Sequence, residues 1–398
     1  MSFSLAILAG FGLDHIQKVK KHLFVTIIGI ALLLLFSWTL EILHVLPMQK
    51  NNLIYTTLVF IASIFGFALL WKTKRLALVI LIFLTVFDLF YFFQKFNPFV
   101  PAALVFPNTT VTDWLQKNSG IDRFWGYGTG AIAANIASQY HLFSPDGYDP
   151  LYPKRYGEFI SAGGDGNIAR QFTNQTRSDA KIAPGYGKLD LSANQFRLKL
   201  LQLLGVRYIL DRSENGSTEL TFPSNLFSQK ATLIDWRIYE YRDALPRAYL
   251  VSSYEVTTTP EQFENLFFDP SFDPKKTILL EEQTDTLLSA QSSEGQAKIL
   301  NYQPNKVTIE TTTAGTKLLF LSDTYFPGWV ATVDHVPTKI FRAFWSFRAV
   351  VVPAGTHTVV FSYQPQSFLS GIKTSIISVV LIILAISVLP KLIKRYET

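Results

Sequence analysis

The stretch KVTIETTTAGTKLLFLSDTYFPGWVATVD, residues 306–334, decides the fold of the C-terminal part of the chain. Its apolar residues recur with a period of two, which is typical of β-strands with one buried face. Turn residues interrupt this period at AGT (314–316) and at PG (327–328). The same alternation continues on both sides of the stretch as short, regularly spaced strands. This spacing predicts a β-sandwich over residues 297–367.

Four other stretches are apolar and long enough to cross a bilayer. A spanning helix needs about 20 consecutive, mainly apolar residues. Stretches close to this length are 23–46, 53–71, 76–96 and 368–390. The sequence therefore predicts a membrane protein with about four transmembrane helices, three of them within residues 23–96. A mixed α+β region at 97–296 separates those three helices from the β-sandwich.

Basic residues at the ends of the predicted spans indicate the topology, because cytoplasmic loops are enriched in Lys and Arg. Such clusters occur at residues 18–21, 72–75 and 391–395. All three agree on one orientation, with the N-terminal segment 1–22 and the C-terminal tail 391–398 in the cytoplasm. We therefore expect a multi-pass protein of the plasma membrane, anchored by an uncleaved first span and carrying a large extracytoplasmic domain.

The charge and cysteine content exclude several classes of function. Without nine basic residues beside the spans and four acidic residues in or beside them, 27 of the 36 basic and 26 of the 30 acidic residues remain. This near-neutral remainder argues against nucleic acid as a partner. The chain has no Cys and therefore no thiolate nucleophile or thiolate metal site. Its six His residues show no ligand spacing, so we predict no metal site from the residues.

The segment around PG (327–328) has two interpretations. In the first, its aromatic residues are buried at a structural corner of the sandwich. In the second, a tryptophan ring stacks on a sugar while charged side chains bond the sugar hydroxyls. The ligand-binding candidates of this region are Asp323, Tyr325, Trp329, Asp334, Arg342, Trp345 and Arg348.

A second group of candidates lies in LFSPDGYDPLYPKRYGEF, residues 142–159. These ligand-binding candidates are Asp146, Tyr148, Asp149 and Arg155. Paired carboxylates perform acid–base chemistry or hold a metal ion, but this spacing selects no particular reaction. An ordinary Asp-Gly turn is the alternative interpretation.

Three polar residues lie in or beside the predicted spans, namely Glu41, His44 and Asp88. Ionisable groups in lipid are costly, so each is a candidate for function. Hydrogen bonding between helices, or extension of the side chain to the membrane surface, is the alternative interpretation.

Several motifs, taken in order, resemble the C-terminal part of the YfhO family of bacterial membrane proteins. They are FDLFYFFQKFNPF (87–99), GYDPLYPKRYGEF (147–159), LLGVRYIL (203–210), ALPRAYLV (244–251), FDPKKTILLEE (272–282), LSDTYFPGWVATVD (321–334) and FRAVVVPAGTHTVVFSYQPQSFLSG (347–371). The resemblance covers most of the chain from about residue 76 onward.

The resemblance implies a glycosyltransferase of the GT-C type. Such an enzyme takes a sugar from a polyprenyl-phosphate donor and transfers it to a cell-envelope glycopolymer similar to lipoteichoic acid. The resemblance also implies a carboxylate base in an early extracytoplasmic loop and, by analogy, a divalent metal near the donor phosphate. In this chain the exported domain would recognise the acceptor.

The chain departs from that pattern in its first loop. PMQKNN (47–52), between the first two spans, contains no acidic residue, so no catalytic residue is carried over. Three expectations follow: the chain is a fragment of a longer protein, a separate N-terminal transmembrane subunit supplies the catalysis, or the chain is a non-catalytic module for glycan binding or assembly.

Overall fold

The computed structural model describes residues 11–12, 20–43, 50–69, 72–96, 99–133, 135–149, 151–168, 179–182, 191–289 and 295–396. The chain divides into two compact units, Met1–Pro107 and Asn108–Thr398.

The first unit contains three long apolar helices, α1 (Lys20–Ile42), α2 (Lys50–Leu69) and α3 (Lys74–Phe96). Their candidate spans have mean hydropathies of 2.5, 1.9 and 2.6. Most of their large apolar side chains are exposed, as expected for helices that lipid surrounds. These helices confirm the three predicted N-terminal transmembrane segments.

The second unit contains the remaining elements of the part of the chain that the structure describes. Its helices are α4 (Thr110–Asn118), α5 (Ile136–Gln139), α6 (Lys154–Ser161), α7 (Gln195–Leu203), α8 (Pro260–Phe267) and α9 (Gln366–Tyr396). Its strands are β1 (Arg123–Gly126), β2 (Gly147–Tyr148), β3 (Asp179–Ala180), β4 (Val206–Arg212), β5 (Phe227–Leu233), β6 (Trp236–Tyr241), β7 (Ala248–Val251), β8 (Ser253–Val256), β9 (Thr277–Leu280), β10 (Gln296–Gln303), β11 (Lys306–Thr313), β12 (Lys317–Thr324), β13 (Trp329–Val333), β14 (Val336–Thr338), β15 (Phe341–Ala343), β16 (Phe347–Val352) and β17 (Gly355–Tyr363).

A four-stranded sheet forms the first layer of the second unit, in the order β1-β4-β6-β5. Strands β1 and β4 are parallel, and the other pairs are antiparallel. A parallel pair needs a long crossover connection, which here includes α6 and α7. Helix α7 buries Leu200, Leu201 and Leu203 in the largest hydrophobic core.

Two further sheets face each other as a β-sandwich. The first sheet has the order β10-β11-β17-β13-β14, and the second has the order β7-β12-β16-β15-β9-β8. Apolar side chains from both sheets form a core between them, including Ile309, Leu319, Val350 and Phe361. The predicted fold class, membrane helices followed by a β-rich C-terminal region, is confirmed.

The second sheet of the sandwich also includes strands from before residue 297, since β7, β8 and β9 lie at its two edges. Phe159 of α6 packs edge to face on Phe347 of β16, with ring centroids 5.1 Å apart. Both rings belong to one core, which also includes residues of α7 and α8. The α+β region and the β-sandwich therefore share a sheet and a core across residue 297.

The turn at Pro327-Gly328 lies where the chain passes from one sheet of the sandwich to the other, because β12 and β13 belong to different sheets. Gly328 has φ +103°, and a Cβ added there would lie 3.1 Å from the Pro365 backbone. This conformation is strained for any residue with a Cβ, so the turn requires glycine. The motif is therefore a corner of the sandwich.

Helix α9 follows β17 after two residues and provides the fourth candidate span, Gln366–Ser387, with a mean hydropathy of 2.3. The short connection places the C-terminal end of β17 next to the start of α9. The fourth predicted transmembrane segment is thus confirmed as a helix.

Candidate functional site: an arginine-lined pocket

A cavity of about 630 Å³ lies in the second unit between the loop before α6 and one end of the sandwich. Three arginines line it, Arg123, Arg247 and Arg348, and we call it the arginine pocket. The structure brings six of the predicted ligand-binding residues together around this cavity: Asp146, Tyr148, Asp149, Asp323, Trp329 and Arg348.

Asp323 is the centre of the arginine pocket and is 7% exposed. Its Oδ1 lies 3.1 Å from Nη2 of Arg123 and 3.2 Å from Nε of Arg247. Its Oδ2 accepts a hydrogen bond from the Tyr302 hydroxyl at 3.0 Å and lies 3.5 Å from Nη2 of Arg348. Three guanidinium charges therefore surround one carboxylate in a buried site.

The charges of these arginines determine the ionisation of Asp323. Burial alone would raise its pKa, but Arg247, Arg123 and Arg348 together hold the pKa of Asp323 below its ordinary value of 3.8. Burial also raises the pKa of Tyr302 to about 12, so that phenol stays neutral at physiological pH. The carboxylate is thus charged at physiological pH and is a poor proton acceptor.

Arg348 differs from the other two arginines in its free hydrogen-bonding capacity. Its guanidinium carbon lies 3.9 Å from the ring centroid of Trp329, within cation–π distance. Its Nε donates to the backbone oxygen of Asp323 at 3.3 Å. Its Nη1 is buried and has no hydrogen-bond partner among the described residues. Such an unsatisfied donor is uncommon in a folded protein.

The backbone of β12 is irregular beside the pocket. The register between β12 and β16 shifts between Leu321 and Thr324. A shift of this kind is a β-bulge, which breaks the alternation of side-chain directions and often adjoins a functional site. Ser322 and Asp323 are buried, as are the residues of β12 before them, and the Ser322 hydroxyl accepts a hydrogen bond from Arg123 at 2.8 Å.

Sequence reasoning missed Arg123, Arg247 and Tyr302. Arg123 begins the fully buried strand β1, and Arg247 immediately precedes β7 in ALPRAYLV. An arginine inside an otherwise apolar strand motif was the available signal, because a buried guanidinium needs a partner. The sequence could not name that partner, since Asp323 lies 200 residues after Arg123.

Asp146 is the second carboxylate deep in the arginine pocket. Burial raises its pKa from 3.8 to about 6, although the backbone N–H of Ile182 and the charge of Lys181 oppose this effect. The Ile182 N–H donates to Oδ1 of Asp146 at 2.9 Å. A carboxyl group with a raised pKa in a cleft is a typical candidate for proton transfer.

The variant Asp146→Asn is expected to remove a pH dependence of stability. Between pH 3.8 and about 6 the native protein holds this proton more firmly than the unfolded chain does. Stability therefore falls as the pH rises through that window, and the variant loses this decline. Melting temperatures of the full chain in micelles should favour the variant increasingly with pH, whereas a constant difference would contradict the assignment. Asp149→Asn, at the exposed rim, is the matched control.

The structure places four of the other candidates around Glu281 instead, outside the arginine pocket. Arg155 bonds Oε1 of Glu281, and Arg342 donates to its Oε2 at 3.0 Å. Each guanidinium also lies over an aromatic ring, Arg155 at 4.0 Å from Trp345 and Arg342 at 4.6 Å from Tyr325. One carboxylate is thus shared by two guanidinium groups in this cluster.

The other contacts of Trp345, and those of Asp334, are typical of residues with a structural role. Trp345 is 7% exposed, and its Nε1 donates to Oε2 of Glu158 at 2.9 Å. Asp334 lies in the tight turn between β13 and β14 with φ +48°. Its carboxylate lies 2.6 Å from Nδ1 of His357 and accepts from the backbone of Thr358 at 2.8 Å. A ligand role for Trp345 or Asp334 stays a prediction.

The polar residues of the first unit take part in contacts between helices. Asp88 of α3 accepts a hydrogen bond from the Tyr55 hydroxyl of α2 at 2.9 Å. Trp38 of α1 donates to Thr57 of α2 at 3.1 Å. Glu41 is buried at 6% exposure, and the prediction for His44 lies outside the described residues. Hydrogen bonds of this kind hold membrane helices together.

The residues of the arginine pocket do not fit a divalent metal. No group of three or more His, Asp or Glu side chains among the described residues is arranged to hold one. The central carboxylate, Asp323, is surrounded by three guanidinium groups that repel a cation. The site geometry instead favours a ligand with negative charge.

One comparison with known proteins gives a match, and the matched residues include the β-sandwich. Residues 274–375 match the model of the family described as bacterial membrane protein YfhO. Comparisons with curated proteins and with solved structures gave no match. The matched segment includes twelve of the residues that line the pocket, among them Asp323, Trp329 and Arg348, and the start of α9. The match supports YfhO family membership of the C-terminal portion of the chain, residues 274–375, as its motifs predicted.

Proposed function

We propose that the chain is the C-terminal portion of a membrane glycosyltransferase-like protein whose second unit binds an envelope glycopolymer in the arginine pocket. In this proposal the polymer is the sugar acceptor and a polyprenyl phosphate carries the donor sugar. The Lys and Arg clusters beside the spans support an extracytoplasmic position for residues 97–367. Such a position gives the pocket access to the cell envelope.

The observation that carries the proposal is the combination of aromatic and charged side chains in one cleft. Trp329 and Tyr363 line the cavity with ring centroids 5.4 Å apart, and the exposed rings of Tyr148 and Phe326 lie at its rim. Binding sites for polar ligands typically combine an apolar wall with a few fixed polar groups. In this cleft the aromatic rings form an apolar wall for the face of a sugar, and the arginine side chains donate hydrogen bonds to the sugar oxygen atoms.

The variant Trp329→Ala should weaken binding of purified envelope glycopolymer by about tenfold or more, because it removes a ring that lines the cavity and supports Arg348. The control is Trp236→Ala, since Trp236 is also half-buried and lies beneath an arginine, Arg212, at 5.1 Å. Trp236 does not line this pocket. Equal binding by the two variants in a full-chain binding assay would refute glycopolymer recognition here.

A non-catalytic module for glycan binding or assembly is the second candidate function. The state of Asp323 favours it, because three arginines keep this central carboxylate ionised and occupied. Asp146 is the pocket carboxylate suited to proton transfer, and Asp149 and Asp88 are the other predicted candidates. Sugar transfer in membranes that persists when these three residues are replaced together by Asn would leave binding as the role of this chain.

A further inference from the structure

We infer that the arginine pocket binds a phosphate group of a molecule at the membrane surface, with Arg348 as the principal donor. The inference rests on the proposed function, since it names the chemical group that the same pocket recognises. Three features of the pocket support it: its charge, a donor without a hydrogen bond, and its position near the start of a candidate span.

The inner part of the pocket has more positive than negative charge. Arg123, Arg247 and Arg348 face the single carboxylate of Asp323, and the neighbouring Tyr302 phenol is neutral. Burial and mutual repulsion make this arrangement unfavourable without a second anion, as the lowered pKa of Arg123 beside Arg247 indicates. A bound anion would offset this excess charge.

Two further carboxylates line the cavity and set the pH dependence of anion binding. Asp149 is exposed at the rim, where water and salt screen its charge. Asp146 lies deeper and has a pKa of about 6, so it opposes an anion above that pH and becomes neutral below it. We therefore expect an anion whose own charge is the same at both pH values to bind the pocket more tightly at pH 5 than at pH 8.

The free donor of the site belongs to Arg348. Its Nη1 is buried without a hydrogen-bond partner among the described residues, while the side chain as a whole is 3% exposed and lines the cavity. Guanidinium nitrogens that make no hydrogen bond also occur at Arg197, Arg212 and Arg237, but these three residues do not line the cavity. Phosphate oxygens match the planar fork of a guanidinium group and bind it strongly.

The pocket lies close to the level of the bilayer surface. Tyr363 lines the cavity, and the candidate span begins three residues later at Gln366. Three residues of chain extend over at most about 10 Å. Leu151 is 87% exposed and Phe326 is 45% exposed at the same rim, where they suit contact with a membrane interface. A phosphate group at the surface of the bilayer is thus within reach.

The test measures phosphate binding by the full chain in polyoxyethylene ether micelles, which contain neither sugar nor phosphate. The probes are glycerol 3-phosphate, which is soluble, and phosphatidic acid, which partitions into the micelle. We expect Arg348→Gln to weaken binding of both probes by about tenfold or more, because a charge-assisted donor is lost. Asp146→Asn should instead strengthen binding at pH 8.

Arg212→Gln is the matched control, because Arg212 also lies over a tryptophan and has an Nε that makes no hydrogen bond, although this Nε lies 3.5 Å from Oε1 of Glu214. Arg348→Lys keeps the charge beside Asp323 while losing the guanidinium fork, and it provides the same test if Arg348→Gln does not fold. Tighter binding of phosphatidic acid identifies a lipid headgroup as the source, and equal binding identifies a phosphate of a soluble chain.

The inference is overturned if wild-type protein binds neither probe, or if Arg348→Gln and Arg212→Gln bind them equally. These outcomes are distinct from failure of the proposed function, which Trp329→Ala tests with the glycopolymer. Phosphate binding without glycopolymer binding would leave a phosphate site in a protein of another function.

Discussion

Replacing Asp323 by alanine is expected to destabilise the second unit by about 3–5 kcal/mol, which is the typical cost of removing one partner from a buried ion pair. Asp323 is 7% exposed and is the carboxylate that Arg123, Arg247 and Arg348 share. Without it, three buried guanidinium groups repel one another. Arg247 also loses the contact that orients it between Asp323 and the Tyr302 hydroxyl.

Thermal unfolding of the full chain in micelles measures this loss. The matched control is Asp243→Ala, because Asp243 is an exposed aspartate outside the pocket. Since the pKa of Asp323 is lowered in the folded protein, its stabilising effect is present above pH 3.8 and declines as the pH falls below that value. A melting temperature of Asp323→Ala equal to that of Asp243→Ala would show that the arginines do not depend on this carboxylate.

The features that the sequence predicted correctly arise from local patterns. An apolar run of about 20 residues predicts a membrane-spanning helix whatever its neighbours in sequence. In a bilayer the backbone N–H and C=O groups find no water, so they must form hydrogen bonds within the helix. The period of two in residues 306–334 predicts strands for a similar reason, since one face must be buried. Pro327-Gly328 predicts a corner because proline fixes its own φ and glycine accepts a φ such as +103° without strain, and both are properties of the local residues.

The composition of the sheets could not be predicted in this way. Strand β7 pairs with β12, although the two are separated by more than sixty residues of chain. Alternation identifies each strand but does not identify its neighbour. The β-bulge at Ser322 and Asp323, two residues that line the pocket, likewise cannot be recognised from the alternation.

The candidate site was predicted in part. Asp323, Trp329 and Arg348 were candidates because charged and aromatic residues adjoin a turn, and the structure places them in one cavity. Arg342 and Trp345 had the same local signal and lie elsewhere, because strand β15 directs Arg342 to Glu281 and the turn buries Trp345. The types of residue near a turn therefore do not show whether these residues line a pocket or pair with one another outside it. That distinction depends on long-range partners.

Replacing Phe347 by alanine is the second change with a large expected effect, about 3–5 kcal/mol of lost stability, which is the usual range for a buried Phe→Ala substitution. Phe347 is 1% exposed, and the centroid of its ring lies 5.1 Å from that of Phe159 and 6.0 Å from that of Phe320. The control is Leu287→Ala, because Leu287 is 94% exposed and its truncation should change stability little.

This substitution tests whether the α+β region and the β-sandwich unfold together, because the Phe159–Phe347 contact joins them across residue 297. A common core predicts one cooperative transition that moves as a whole in Phe347→Ala. In a double-mutant cycle, Phe159→Ala and Phe347→Ala should together cost about 1 kcal/mol less than their sum, which is the coupling expected of an aromatic pair. Two separate transitions, of which the variant moves only one, would instead show two independent folding units, and the arginine pocket would then lie at an interface that opens before either unit unfolds.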